Sequence, residues 1–155
     1  MIRTLQIAVL GGRIESDDIL KAAEETGRLI AERGATLICG GMGGVMEAAC
    51  KGAKSAGGLT VGILPVTDAN LGNAYLDVII PTGMGDARNA LIVNSVQGAI
   101  AVGGKYGTLS EIAYALQRNL PIASLHSWDV DPSVFQAQTA RDAVDFIFTK
   151  IESKD

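Results

Sequence analysis

A chain of 155 residues is long enough for one domain with a sizeable core, and 48% apolar against 19% charged residues excludes a disordered chain. A net charge of −4 with no block of like charges argues against a nucleic-acid surface, and no apolar run approaches the roughly 20 residues of a membrane span. Aromatics are scarce at 5%, which leaves the core to Val, Ile, Leu and Ala, while 19 glycines cluster between the apolar runs.

The N-terminal apolar stretch is too short for a secretory signal and runs straight into a strand pattern, so the expected location is the cytoplasm. Cys39 and Cys50 have no metal-ligand spacing; buried thiols are expected, and no metal site.

The first strand is expected over Leu5 to Leu10, ended by Gly11-Gly12. Ser16 or Asp17 then caps a helix that Gly34 stops. A second strand, Thr36 to Cys39, leads through "GGMGG" into a helix from about Val45 to Ala56. Leu59 to Leu64 is the third strand, and Pro65 to Tyr75 an irregular loop rich in turn residues. Asp77 to Ile80 is a fourth strand, and "PTGMGD" opens a helix from about Asp86 to Val96. The strand Ala99 to Val102 is followed by "GGKYG" and a helix from Thr108 to about Arg118. A short strand, Ile122 to Leu125, a loop to Pro132 and a closing helix over most of Ser133 to Ile151 complete the chain. His126 and Trp128 in that loop are expected to be structural.

Strands and helices alternate, and the strands are continuously apolar. That pattern predicts one α/β domain over residues 1–155, a doubly wound, mainly parallel, Rossmann-like sheet with helices on both faces. Ligands of such sheets bind beyond the carboxyl ends of the strands. Every glycine cluster falls there: Gly11 and Gly12, Gly40 to Gly44, Thr82 and Gly83 with Gly85, and Gly103 to Gly107.

"CGGMGGVMEAA" (39–49) and "VGGKYGTLSEIA" (102–113) read as one strand–loop–helix device used twice. Glycines let an anion approach the backbone, and the following helix aims its free N–H groups at the loop, so phosphate is the expected guest. The candidate contacts are Gly11, Gly12, Gly40, Gly41, Gly43, Gly44, Thr82, Gly83, Gly103, Gly104, Gly107 and Thr108. Neither loop has the Lys-Ser/Thr of a Walker A motif, and the dinucleotide pattern lacks its third glycine.

Arg88, near the same edge, suits bidentate phosphate binding, or else pairs with Asp86; Asn89 contacts a ligand or the local backbone. Glu111 has two readings. Thr108-Leu109-Ser110-Glu111 fits a capping box, which would account for both residue types, or Glu111 is a catalytic carboxylate. Glu47 invites the same capping explanation.

"GGMGGVMEAACKGAKSAGG" and "ARNALIVNSVQGAIAVGGKYGTLSEIAYAL", with the interval between them, resemble the superfamily of cytokinin-activating phosphoribohydrolases, often labelled lysine decarboxylases. The likeness is closer to the branch that includes molybdenum-cofactor carrier proteins and spans roughly residues 5–125. It implies that Gly103, Gly104, Gly107 and Thr108 hold a phosphate, and that Arg88 and Glu111 are catalytic where hydrolysis occurs. It also implies a homo-oligomer, at least a dimer, with the Arg88 and Thr108 helices near the interface.

Three departures from the hydrolase signature P-G-G-x-G-T-x-x-E stand out: Val102 for the Pro, one added residue in Lys105-Tyr106, and Asn89 where the family has Lys. They favour the carrier-like branch. The expected function is binding of a nucleoside monophosphate or molybdopterin-type cofactor as cargo, the alternative being hydrolysis of nucleoside monophosphates to base and ribose 5-phosphate. Lysine decarboxylation would need a pyridoxal-phosphate Schiff-base lysine, and none sits in a recognisable site. A nucleic-acid-binding role, suggested by distant likeness to DNA-processing proteins, is disfavoured by the acidic balance, and no membrane partner is expected.

Overall fold

The computed structural model describes residues 3–154. Seven strands form one sheet: β1 (Gln6–Gly11), β2 (Thr36–Cys39), β3 (Thr60–Leu64), β4 (Val78–Pro81), β5 (Gly98–Val102), β6 (Ile122–Leu125) and β7 (Val134–Ala137). Their order is β4-β3-β2-β1-β5-β6-β7, and each neighbouring pair is parallel. The chain winds outward from β1 in one direction and then, from β5, in the other. The order therefore reverses between β1 and β5, where a crevice opens at the carboxyl edge.

The helices are α1 (Asp17–Glu32), α2 (Val45–Ser55), α3 (Arg88–Asn94), α4 (Tyr106–Gln117) and α5 (Ala140–Glu152). Alternation along the central strands divides the core between two faces. Ile7 and Val9 of β1 and Ile100 and Val102 of β5 pack with α1, α2 and α5. Ala8, Leu10, Ala99 and Ala101 pack with Ile92 and Val93 of α3 and Ile112 and Ala115 of α4. Large aliphatics such as Ile7, Ile100 and Ile147 are fully buried, each stabilising the fold by about 1.5–3 kcal/mol.

In α1 the buried Ala23, Thr26, Gly27 and Ile30 recur at helical spacing and make the face that meets α2. The contact is close: a Cβ at Gly27 would lie 1.9 Å from the Ala49 carbonyl oxygen, and one at Gly52 as near to that of Glu24. Ser16 caps α1 through the Ile19 N–H at 3.4 Å, as expected. Among the described residues no helix is long and apolar enough to cross a membrane.

Three elements differ from the sequence-based expectation. The closing helix is preceded by β7, paired on β6. Val134, Ala137, Ala140, Val144 and Ile147 are all buried and lie three or four apart, so strand and helix together imitate one helical stripe. Thr139 marks the true helix start, its hydroxyl accepting from the Asp142 N–H at 3.1 Å. The helix expected over 86–96 is shorter, because residues 85–87 form a 3-10 turn before α3. Finally, α4 begins at Tyr106, which places Thr108 inside its first turn.

Candidate functional site

At the carboxyl edge between β1 and β5 lies a cleft of about 550 Å³. The β1 end and the loop to Glu15 form one wall, and Gly40 with Met46 another. Asp86, Arg88 and Asn89 enter from the start of α3, and Lys105, Gly107, Thr108 and Glu111 from the start of α4. Of the expected contacts, Gly11, Gly12, Gly40, Arg88, Asn89, Gly107, Thr108 and Glu111 are brought together here; Gly41, Gly43, Gly44, Thr82, Gly83, Gly103 and Gly104 do not line it. Thr82 and Gly83 are engaged elsewhere. The Thr82 hydroxyl donates to the Leu64 carbonyl at 2.7 Å, and Gly83 turns back on Thr67.

The two similar glycine loops have different surroundings. In the loop after β2, the bare face of Gly44 lies against the Gly12 and Arg13 carbonyl oxygens, which a Cβ would approach to 2.3 and 2.4 Å. The Val45 N–H, first of α2, donates to the Gly12 carbonyl at 2.9 Å. Gly41, with φ of +78°, leaves room for Leu64. Gly41 and Gly44 are thus backed by protein, and the Gly12 carbonyl takes the first N–H of the helix, where an anion would approach.

The loop after β5 is held from behind and open in front. Gly103 donates to the Leu125 carbonyl at 3.2 Å and accepts from the Ser127 hydroxyl. The Trp128 indole N–H donates to the Lys105 carbonyl at 2.9 Å, and the Gly104 N–H donates to Glu15 Oε1 at 2.7 Å. Past this corner, the first intrahelical bond runs from Leu109 to Lys105. Among the described residues the N–H groups of Tyr106, Gly107 and Thr108 donate to no acceptor, as at any uncapped helix start. Gly107 is bare toward the cleft; the nearest atom to a Cβ there would be Asn89 Nδ2 at 4.0 Å.

This geometry removes the capping explanation for Thr108 and Glu111. Lys105 occupies the N-cap position, no side chain caps α4, and Thr108 is buried within the first turn and Glu111 in the second. The added residue of the "GGKYG" loop is absorbed at that cap, and Glu111 still faces the cleft.

Arg88 is buried, its guanidinium donating to the Ile63 carbonyl at 3.0 Å, the Gly40 carbonyl at 3.4 Å and Asn89 Oδ1. It makes no salt bridge with Asp86. These bonds lock the head of a long cation at the cleft floor with N–H groups to spare, since a guanidinium carries five. Burial pulls its pKa down, and Glu111, the largest opposing influence, pulls it back. Asn89 bridges the helices, its Nδ2 donating to the Ser110 hydroxyl at 3.1 Å.

Glu111 is 6% exposed and accepts no hydrogen bond from the described residues. Burial pushes its carboxyl up to about 8, against the attraction of Arg88. At neutral pH it therefore holds a proton and can donate to an oxyanion. With that proton in place, Arg13, Arg88 and Lys105 face two carboxylates, Glu15 and Asp86, among the charged groups of the lining.

Arg13, Glu15 and Asp86 are cleft residues that the sequence motifs do not single out, and Lys105 figures there only as a spacer. The first two follow Gly11-Gly12 at a strand end, and the strand-edge rule that located the glycines applies equally to them. Cys39 and Cys50 are buried free thiols, with sulfurs 3.5 Å apart beneath the first loop.

Fold and cleft together define a class: a doubly wound α/β protein whose switch-point crevice is lined by a buried arginine and the free start of a helix. The chain belongs to the SLOG cluster4 family, whose model matches residues 4–153. It is 46% identical over 145 residues to an uncharacterized protein of Archaeoglobus fulgidus, covering 94% of this chain and 95% of that one. It is 31% identical over 121 residues to the cytokinin riboside 5'-monophosphate phosphoribohydrolase of Mycobacterium tuberculosis, covering 72% and 64% respectively.

Among solved structures, the molybdenum cofactor binding protein of Rippkaea orientalis superposes with a TM-score of 0.92 at 36% identity, over 97% of this chain and 99% of that one. The molybdenum cofactor carrier protein of Chlamydomonas reinhardtii gives 0.88 at 30%, with the same coverages. The resemblance carried by the sequence motifs thus extends over nearly the whole chain.

Proposed function

We propose that this protein binds a small phosphorylated, nucleotide-like ligand, a nucleoside monophosphate or a molybdopterin-type cofactor, and acts as its carrier. One observation carries the reading: the unpaired N–H groups of Gly107 and Thr108 open into a 550 Å³ cleft beside the buried Arg88. Helix-start donors and a guanidinium suit a phosphate, and the volume lies in the range of sites that enclose one small organic ligand. The likeness to cofactor-binding and carrier proteins over the full chain supports the same role. Gly11, Gly12, Gly40 and Asn89 would shape the remainder of the site. Cytoplasmic location and homo-oligomerisation belong to this reading, and light scattering on the purified protein tests the latter.

The experiment is mass spectrometry of the small molecule that copurifies with the protein, followed by isothermal titration with AMP and GMP. A phosphorylated, ring-containing compound and saturable binding are expected. No copurifying ligand and no heat with either nucleotide would sink the proposal.

A second reading is hydrolysis of nucleoside monophosphates, supported by Glu111 beside Arg88 and by the 31% identical phosphoribohydrolase. A carboxyl protonated at neutral pH would serve as the acid for the departing base. Incubation with AMP and chromatography for free adenine decides it, since no release above buffer leaves binding alone.

A further inference from the structure

Besides the helix start, the loop after β5 has a second place where an anion would sit, at its two consecutive left-handed glycines, Gly103 and Gly104 (φ +59° and +92°). Backbone N–H groups in such a turn make an anion-binding concavity. Here the Gly103 N–H goes to Leu125, and the Gly104 N–H goes to the carboxylate of Glu15 at 2.7 Å.

Close packing seats Glu15 there as well as that one hydrogen bond. A Cβ on Gly12 would come within 2.9 Å of Glu15 Oε1, and one on Gly103 within 3.0 Å of the same atom. Two glycines from two different strand ends are therefore bare where this carboxylate lies. Glu15 also lines the cleft, and no Lys or Arg among the described residues forms a salt bridge with it.

We propose that Glu15 is a specificity-determining residue: its carboxylate is a resident anion in the Gly103–Gly104 corner and limits the cleft to one ligand phosphate. The inference rests on phosphate binding at the start of α4 and adds what happens next to it. A second phosphate approaching that corner finds both N–H groups taken and meets a like charge without an ion-pair partner. Repulsion of that kind rejects a competitor without improving contact to the preferred ligand.

The test compares AMP with ADP by isothermal titration for the wild type, Glu15→Gln and Glu15→Ala, with melting temperatures recorded for each. Gln keeps an oxygen for the Gly104 N–H and removes the charge; Ala removes both. In Glu15→Gln, ADP affinity is expected to rise about tenfold more than AMP affinity, on the scale of one close charge pair. Glu15→Ala should shift the ratio at least as far, because the Gly104 N–H becomes free.

An ADP-to-AMP ratio unchanged within about twofold in both variants overturns the inference, and so does a loss of both affinities that follows the melting temperature, the mark of a simple brace. A wild type that binds neither nucleotide overturns the phosphate reading beneath it, whereas AMP binding with an unchanged ratio overturns the role of Glu15 alone.

Discussion

The loops after β2 and β5 share a pattern of glycines and a Glu on the following helix, yet they do opposite jobs. In the first, the glycines let protein approach protein: Gly44 meets the Gly12 and Arg13 carbonyls, and Gly41 meets Leu64. In the second, Gly107 leaves a helix start open to a cleft. A glycine-rich strand–helix turn is therefore not by itself evidence of a ligand. What decides is what stands before the helix start: the Gly12 and Arg13 carbonyl oxygens lie against Gly44 and the first of them already holds the Val45 N–H, whereas Gly107 opens on the cleft.

Arg88 joins the two loops, since it holds Gly40 of the first and faces the cleft of the second. Arg88→Ala should have the largest effect. AMP binding measured by titration is expected to weaken about 100-fold, and urea unfolding to show a loss of about 3 kcal/mol, because buried partners lose their donor. Binding within threefold of wild type would remove Arg88 from the site.

Gly44→Ala probes the closed loop alone. Its Cβ would clash with two backbone oxygens at a φ of +65°, so a loss of about 2–4 kcal/mol in thermal or urea unfolding is expected. Gly107→Ala belongs at the other end of the scale. The space is open and the position is helical, so stability should change by less than about 1 kcal/mol. Equal losses at the two positions would erase the contrast between the loops.

Between these extremes lies the pH response of the open loop. Glu111 titrates near 8 in the folded chain against 4.5 for an ordinary carboxyl. Between those values the native state keeps a proton that the unfolded state has released, so stability falls as pH rises and levels off above about 8. Wild type should lose about 2 kcal/mol from pH 6 to pH 8 through this group, and Glu111→Gln should flatten that part of the profile. A profile identical in the two proteins would contradict the burial of Glu111 as an acid.

The doubly wound sheet was legible in the sequence because its strands are short apolar runs ended by glycine, and β1, β2 and β5 fall where that pattern puts them. β7 was not, because Val134 and Ala137 continue the helical spacing of α5. The cleft was legible as a strand edge, and Arg88, Thr108 and Glu111 meet there. The inequality of the two loops was hidden: the oxygens that close the first belong to Gly12 and Arg13, about thirty residues away. Glu15 escaped for the same reason, since nothing local ties a carboxylate after β1 to a glycine after β5.

Trp128 gives the open loop a native reporter. It is the chain's single tryptophan, and its indole N–H is bonded to Lys105, the residue at the mouth of α4. Its ring also lies 6.3 Å from that of Tyr106. Indole emission depends on the polarity and hydrogen bonding around the ring, so a shift of the "GGKYG" backbone on ligand entry would change its colour. Occupancy of the cleft can then be followed by the intrinsic fluorescence of the unlabelled protein, with no background from any other indole.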